Sequence, residues 1–209
     1  PLCASSWLVS VFTMKVEIVK TQSNAYQLLR GGERYEIKGA GVDGASLEVL
    51  AAYGANSIRT WSINGGAVPL AALLDKAHAL GLTVSVGLDF ARERHGFDYS
   101  DQKAVAMQFE EIQREVFKYK DHPALLTWFI GNELNLDFTN PKVFDAVNDV
   151  AKMIKEVDPN HPVSTTLAGF DKKAMTEILR RAPALDFISF QLYADLVNLP
   201  QHVENFGYT

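Results

Sequence analysis

The segment Ala124-Leu125-Leu126-Thr127-Trp128-Phe129-Ile130 is apolar almost without interruption and is closed at once by Gly131-Asn132-Glu133. A strand buried on both faces reads as such a run, whereas a strand with one wet face alternates. Doubly buried strands belong to parallel sheets covered by helices, and in those folds ligand-binding groups gather where the strands end. The run therefore predicts a parallel α/β architecture and places an amide and a carboxylate at its functional edge.

Further strands are expected over residues 37–41, 57–61, 83–88, 163–167 and 187–192, with helical stretches between them. Gly54 and Gly81 stand where helices stop, and Asn140-Pro141 and Asp171 where helices start. Alternating strand and helix predicts either a doubly wound sheet or a (β/α)8 barrel. Strand starts fall roughly 30 residues apart, and eight such units match the ~250 residues of a typical barrel. With 209 residues the expected fold is α/β of the (β/α)8 TIM-barrel type, incomplete, with about six βα units present. Residues 15–19 alternate with period two, and residues 26–29, Gly31-Gly32 and residues 34–37 read as a hairpin that leads into or floors the barrel.

A composition of 47% hydrophobic and 22% charged residues suits one sizeable core. Residues 15–209 are read as one domain, and residues 1–14, apolar and small, as a leader remnant or appended tail that would suit a secreted or periplasmic protein. The formal charge of -5 argues against a nucleic-acid surface, as does the lack of any Lys/Arg cluster beyond a pair. No other apolar run approaches the ~20 residues that span a bilayer. Cys3 is the only cysteine, which excludes an internal disulfide. His95 and His122 lack metal-ligand spacing, and His122-Pro123 reads as a turn, so neither metal nor cofactor is expected. Gly39-Ala40-Gly41-Val42-Asp43-Gly44 matches the phosphate-loop pattern G-x-G-x-x-G only loosely.

Polar residues at the expected strand ends converge on one rim: Asp43, Arg59 and Trp61, Asp89, Asn132 and Glu133, then Gln191, Tyr193 and Asp195. Ile58-Arg59-Thr60-Trp61, Trp128-Phe129-Ile130-Gly131-Asn132-Glu133 and Phe190-Gln191-Leu192-Tyr193 together resemble the barrel domain of clan A glycoside hydrolases, most of all the family 2 type, over roughly residues 26–209.

That resemblance implies retaining hydrolysis of β-linked sugars in an oligo- or polysaccharide. Glu133 would protonate the leaving glycosidic oxygen and then activate water, and Asn132 would bind the sugar 2-hydroxyl. Arg59 and Tyr193 would attend the nucleophile, while Trp61 would stack on a sugar face. Asp89 and Gln191 would complete the substrate contacts. An acid working near neutrality needs a raised pKa, which burial beside Trp61 or Trp128 would supply. Retention also needs a second carboxylate about 5 to 5.5 Å away. In the family this nucleophile is a glutamate ending the seventh strand, and Asn205-Phe206-Gly207-Tyr208-Thr209 resembles the approach to it, which places the nucleophile beyond residue 209.

Other readings stand beside this one. Asp89 or Asp195 would serve as nucleophile in a complete smaller fold, or Glu133 would merely pair with Arg59. Trp128 suits a core layer, and Arg92-Glu93-Arg94 reads as a solvated loop face. A noncatalytic carbohydrate-binding barrel is the alternative function, and an aldolase or isomerase would have to rely on Lys38. Open barrel edges would favour a homo-oligomer.

Overall fold

The computed structural model describes residues 14–64, 66–193 and 196–206. The tail expected over residues 1–14 lies outside them apart from Met14, as do Cys3 and Asp195. Strands β1 (Val16–Lys20), β2 (Tyr26–Arg30) and β3 (Glu33–Arg34) form a small antiparallel sheet. Six strands follow: β4 (Gly39–Gly41), β5 (Ser57–Arg59), β6 (Thr83–Leu88), β7 (Leu125–Ile130), β8 (Val163–Ala168) and β9 (Phe187–Gln191). Helices α1 (Leu47–Ala52), α2 (Leu70–Ala79), α3 (Gln102–Tyr119), α4 (Lys142–Val157) and α5 (Lys172–Arg181) alternate with them, and α6 (Leu199–Phe206) follows β9.

All six later strands pair in parallel and in chain order, β4-β5-β6-β7-β8-β9. A doubly wound sheet reverses its order at a switch point, and this sheet does not, so the winding is that of an incomplete (β/α)8 barrel. Each expected strand is present: β6 and β7 keep the expected bounds, β8 runs one residue further, and β4, β5 and β9 are trimmed. β4 starts at Gly39 rather than residue 37, and β5 stops at Arg59, which leaves Trp61 beyond the strand. The hairpin is likewise shorter than expected, because β3 holds only Glu33 and Arg34, while β1 joins β2 as a further strand. Asn205 and Phe206 lie in α6, and residues 207–209 of the expected approach to a next strand are outside the described residues.

The pattern of burial explains the layers. Every residue of β6 and of β7 is buried, as strands covered on both faces must be. Along α4 the buried Val143, Phe144, Val147, Val150, Ala151 and Ile154 recur at helical spacing and turn one stripe to the sheet. Asp101 accepts from Lys103 N at 3.0 Å and Ala104 N at 3.1 Å to start α3, and Asp171 accepts from Ala174 N at 3.0 Å to start α5.

The small sheet closes the end of the barrel from which the strands begin. Val16 N donates to Asn160 O at 2.7 Å just before β8, and Arg30 Nη2 donates to Pro123 O at 3.1 Å just before β7. Tyr35 reaches Asn56 O at 2.8 Å just before β5. At this same end the indole of Trp128, wholly buried, donates to Asp158 Oδ2 at 2.7 Å, and Asp158 also meets His161 Nδ1 at 2.9 Å. Trp128 is therefore a core residue whose polar tip serves the floor. No helix of the described residues is long and apolar enough to cross a membrane.

Candidate active site

Strand β7 delivers its last apolar side chain, Ile130, into the core and then turns sharply. Gly131 has φ +71°, and a Cβ there would meet the Leu134 side chain at 2.9 Å, so the turn requires glycine. Glu133 itself takes φ +56°, a left-handed conformation that costs a non-glycine residue about 1–3 kcal/mol unless its surroundings impose it. Those surroundings are on hand: Glu133 N donates to Thr166 O at 2.9 Å, which ties the turn to β8.

Asn132, 7% exposed, is held from below and from the side. Arg59 Nη2 donates to its Oδ1 at 2.8 Å and to Thr166 Oγ1 at 3.1 Å, and the guanidinium also lies 4.8 Å over the Phe129 ring. Burial pulls the Arg59 guanidinium below its ordinary pKa, while Tyr193 and the Glu133 carboxylate push it back up. Arg59 is thus bonded to Asn132, and the ion pair of Glu133 is made by a different arginine.

The Gln191 amide sits at the centre of the rim and has two orientations open to it. In one, Nε2 donates to Asn132 Oδ1, and Oε1 accepts from the Tyr193 hydroxyl at 2.8 Å. Turned over, Nε2 donates to Glu133 Oε1 at 3.0 Å and Oε1 accepts from Arg59 Nη1 at 3.1 Å. The second suits an ionised Glu133, because it sets a donor rather than an acceptor against the carboxylate; Asn132 must then present Nδ2 to Gln191 and lose its bond from Arg59.

From the other side comes the segment after β6, expected as a solvated face and found engaged throughout. Arg92 Nε donates to Asn132 O at 3.0 Å, and Arg94 Nη1 donates to Glu133 O. Arg94 Nη2 also stands 3.7 Å from Glu133 Oε2, with both side chains mostly buried. Glu93 faces the opposite way and accepts from Thr139 N, Thr139 Oγ1 and Asn140 N, each at 3.1 Å. Burial, and then the nearby Arg94, lower the pKa of Arg92 against the opposing pull of Glu133 and Asp89. These contacts leave the segment few charges for water, which is why its sequence misleads.

Arg59, Asn132, Glu133, Gln191 and Tyr193 therefore meet in one hydrogen-bonded group, with Tyr193 at its exposed margin. Trp61 stands beside it, sharing a cavity of about 620 Å³ with Asp89, Arg92, Phe97 and Asn132. Its indole lies against Gly41, where a Cβ would come within 2.8 Å of the ring. Asp89 lines that cavity without joining the group, and accepts from Asn64 N at 3.2 Å and Asn64 Nδ2 at 2.8 Å. Asp43 lies on the far side of Trp61 in a separate cavity of about 440 Å³. Trp128 does not reach Glu133, since its indole faces Asp158, so the burial it was expected to lend the acid is absent. Thr166 and the two arginines after β6 are the site residues that sequence reasoning missed. The polar run Ser164-Thr165-Thr166 inside a buried strand was the available signal for the first. No group of three or more potential metal ligands occurs among the described residues.

A consecutively wound parallel sheet with a carboxylate and an amide at its carboxyl rim defines an incomplete α/β barrel with a candidate site at the end where such barrels carry theirs. Residues 71–207 match the description "Glycosyl hydrolases family 2, TIM barrel domain", and the chain belongs to that family. Mannan endo-1,4-beta-mannosidase F of Aspergillus clavatus is 28% identical over 110 residues, which cover 46% of this chain and 25% of that protein. A similarly named relative in Arabidopsis thaliana is 28% identical over 143 residues, covering 63% of this chain and 34% of the other. Among solved structures, the beta-D-glucuronidase of Dictyoglomus thermophilum superposes with a TM-score of 0.67 at 16% identity, covering 92% of this chain and 36% of that one. A glycosyl hydrolase family 2 member from Bacteroides cellulosilyticus gives 0.64 at 20% identity, covering 91% and 26%. The chain spans between a quarter and about a third of the length of the curated relatives it matches.

Proposed function

We propose that this chain carries the acid/base half of a retaining glycosidase site acting on β-linked sugars of an oligo- or polysaccharide. Glu133 gives its proton to the departing glycosidic oxygen in the first step and takes one from water in the second. Asn132 binds the sugar 2-hydroxyl with Nδ2 while its Oδ1 is occupied by Arg59. Trp61 supplies the stacking face. The second carboxylate is not Asp89, which accepts from Asn64, and the family resemblance puts it at the end of the seventh barrel strand. The observation that carries this reading is the left-handed Glu133, held at the rim by backbone and side-chain bonds from both neighbouring segments. The names of the curated relatives make β-1,4-mannan the first substrate to try.

The test uses β-mannan and a panel of aryl β-glycosides, with Glu133→Gln as control. Alone, the chain is expected to cleave slowly or not at all, and azide, standing in for the missing carboxylate, is expected to yield a glycosyl azide of inverted configuration. Glu133→Gln should lower cleavage by about 10²–10⁴-fold for leaving groups that need a proton and much less for nitrophenolate. Mannan binding with no azide product would favour the noncatalytic carbohydrate-binding alternative, and an azide reaction indifferent to Glu133→Gln would remove Glu133 from the mechanism.

A further inference from the structure

We propose that Arg94 is a positioning residue for Glu133, and that residues 92–94 form a clasp that holds the turn after β7 in the geometry proton transfer needs. The inference rests on the acid/base reading of Glu133 and adds residues that the family resemblance did not supply.

Arg94 touches Glu133 at both of its functional ends. One guanidinium nitrogen donates to the backbone carbonyl, and the other lies 3.7 Å from Oε2. Arg92 grips the preceding carbonyl, that of Asn132, at 3.0 Å. In the left-handed conformation the carbonyl of Glu133 is turned out of the sheet ladder, and its remaining backbone partner is Leu136 N at 3.3 Å. A guanidinium, with five donors in a planar fork, can hold a displaced carbonyl and a carboxylate together; an ammonium cannot match that geometry.

The clasp is itself anchored. Ala91, just before it, donates to Gln108 Oε1 at 2.7 Å and accepts from the Tyr99 hydroxyl. Glu93 pins the other side to Thr139 and Asn140 ahead of α4. With Arg94 on both Oε2 and the backbone carbonyl, the carboxylate is oriented relative to the turn that carries it, which fixes the direction from which the proton leaves. Misplacing a reacting group by about 1 Å can cost ~10²-fold in rate.

The experiment compares crystal structures and kinetics of the parent chain with Arg94→Ala, Arg94→Met, Arg94→Lys and Glu93→Gln. In the alanine and methionine variants Glu133 is expected to leave its left-handed conformation or to swing its carboxylate away. The lysine variant, which keeps the charge and one donor, should restore part of the geometry. Glu93→Gln, which loosens the anchor but keeps both arginines, should lower the melting temperature and displace Glu133 less than Arg94→Ala does. In the azide-supported reaction with a proton-requiring leaving group, Arg94→Ala should lose about 10–100-fold in kcat at unchanged KM. The methionine variant, close to isosteric, decides the matter should the alanine variant not fold. A Glu133 that keeps its conformation and carboxylate position without Arg94 overturns the proposal. If the parent chain forms no glycosyl azide even with azide supplied, the acid/base reading falls, and the crystal structures still decide whether Arg94 positions Glu133.

Discussion

Arg59 Nη2 donates to Asn132 Oδ1 at 2.8 Å, so a residue of the second barrel strand orients the amide that precedes the candidate acid on the fourth. The same nitrogen reaches Thr166 Oγ1 at 3.1 Å, and one guanidinium thereby links β5, β7 and β8. The rim is a cross-braced structure, and removing a brace leaves buried polar groups without partners.

Arg59→Met should accordingly destabilise the fold by roughly 2–4 kcal/mol, since hydrogen bonds to a charged group are lost and Asn132 and Thr166 stay buried. Arg59→Lys should recover only part of this, because an ammonium cannot bridge both partners and also lie flat over Phe129. Urea unfolding of the two variants checks both statements. Equal stability of lysine and arginine would show that charge alone matters here.

Gly131→Ala tests the turn. At φ +71° an alanine costs about 1–2 kcal/mol in backbone strain. The added Cβ must also displace Leu134, whose side-chain atoms lie 2.9 to 3.0 Å from its position. The expected result is a loss of roughly 2–3 kcal/mol in urea unfolding, with any azide-supported cleavage by the folded fraction also lowered, as Glu133 moves with the turn.

Asp158→Ala probes the opposite end of the barrel. Buried Asp158 accepts from Trp128 Nε1 at 2.7 Å and meets His161 at 2.9 Å, so the variant strands an indole N–H and an imidazole in the core. A destabilisation of about 3–5 kcal/mol is expected, together with a change in tryptophan emission. In the fraction that stays folded, sugar binding at the rim should be unchanged. A selective loss of binding would mean that the floor communicates with the site.

The uneven visibility of these features in the sequence has a physical origin. Strand β7 is buried at every position, so its almost unbroken apolar run announced itself, and the βα alternation gave parallel pairing, with the unit spacing favouring the barrel. Asn132 and Glu133 stood out because polar groups seldom end such a run without a reason. Arg92, Glu93 and Arg94 were misread because a charged triplet after a strand looks alike whether it faces water or backbone carbonyls. Only the left-handed turn of Glu133 turns those carbonyls toward the arginines, and φ is not written in residue type. The rival pairing of Glu133 with Arg59 fails for a related reason: Arg59 and Arg94 both belong to the rim, and distance alone separates the ion pair from the amide contact.

Within the six-stranded sheet, β4 and β9 each have one neighbour, and β9 is only half buried along its length. Unpaired edges of this kind recruit further strands. Light scattering of the isolated chain should therefore show a mass that rises with concentration. A constant monomer mass up to high concentration would show that these edges are protected.

Glu48 ties α1 to α2 and gives a prediction for acid. Its carboxylate meets Lys76 Nζ at 2.8 Å and accepts from Ser46 Oγ at 3.0 Å, and the Lys76 contact leads in pulling its pKa from an ordinary 4.5 to about 2. A carboxyl group with a depressed folded value stabilises the fold above its unfolded value and loses that contribution as pH falls through the folded one. The melting-temperature difference between the parent chain and Glu48→Gln should thus hold steady above pH 4.5 and shrink toward zero as pH nears about 2. The pair is exposed to solvent, so the difference should be small and should fall further in molar salt, where screening acts within about 3 Å. A difference that persisted unchanged at pH 2 would show that Glu48 acts through helix capping geometry, with its charge irrelevant.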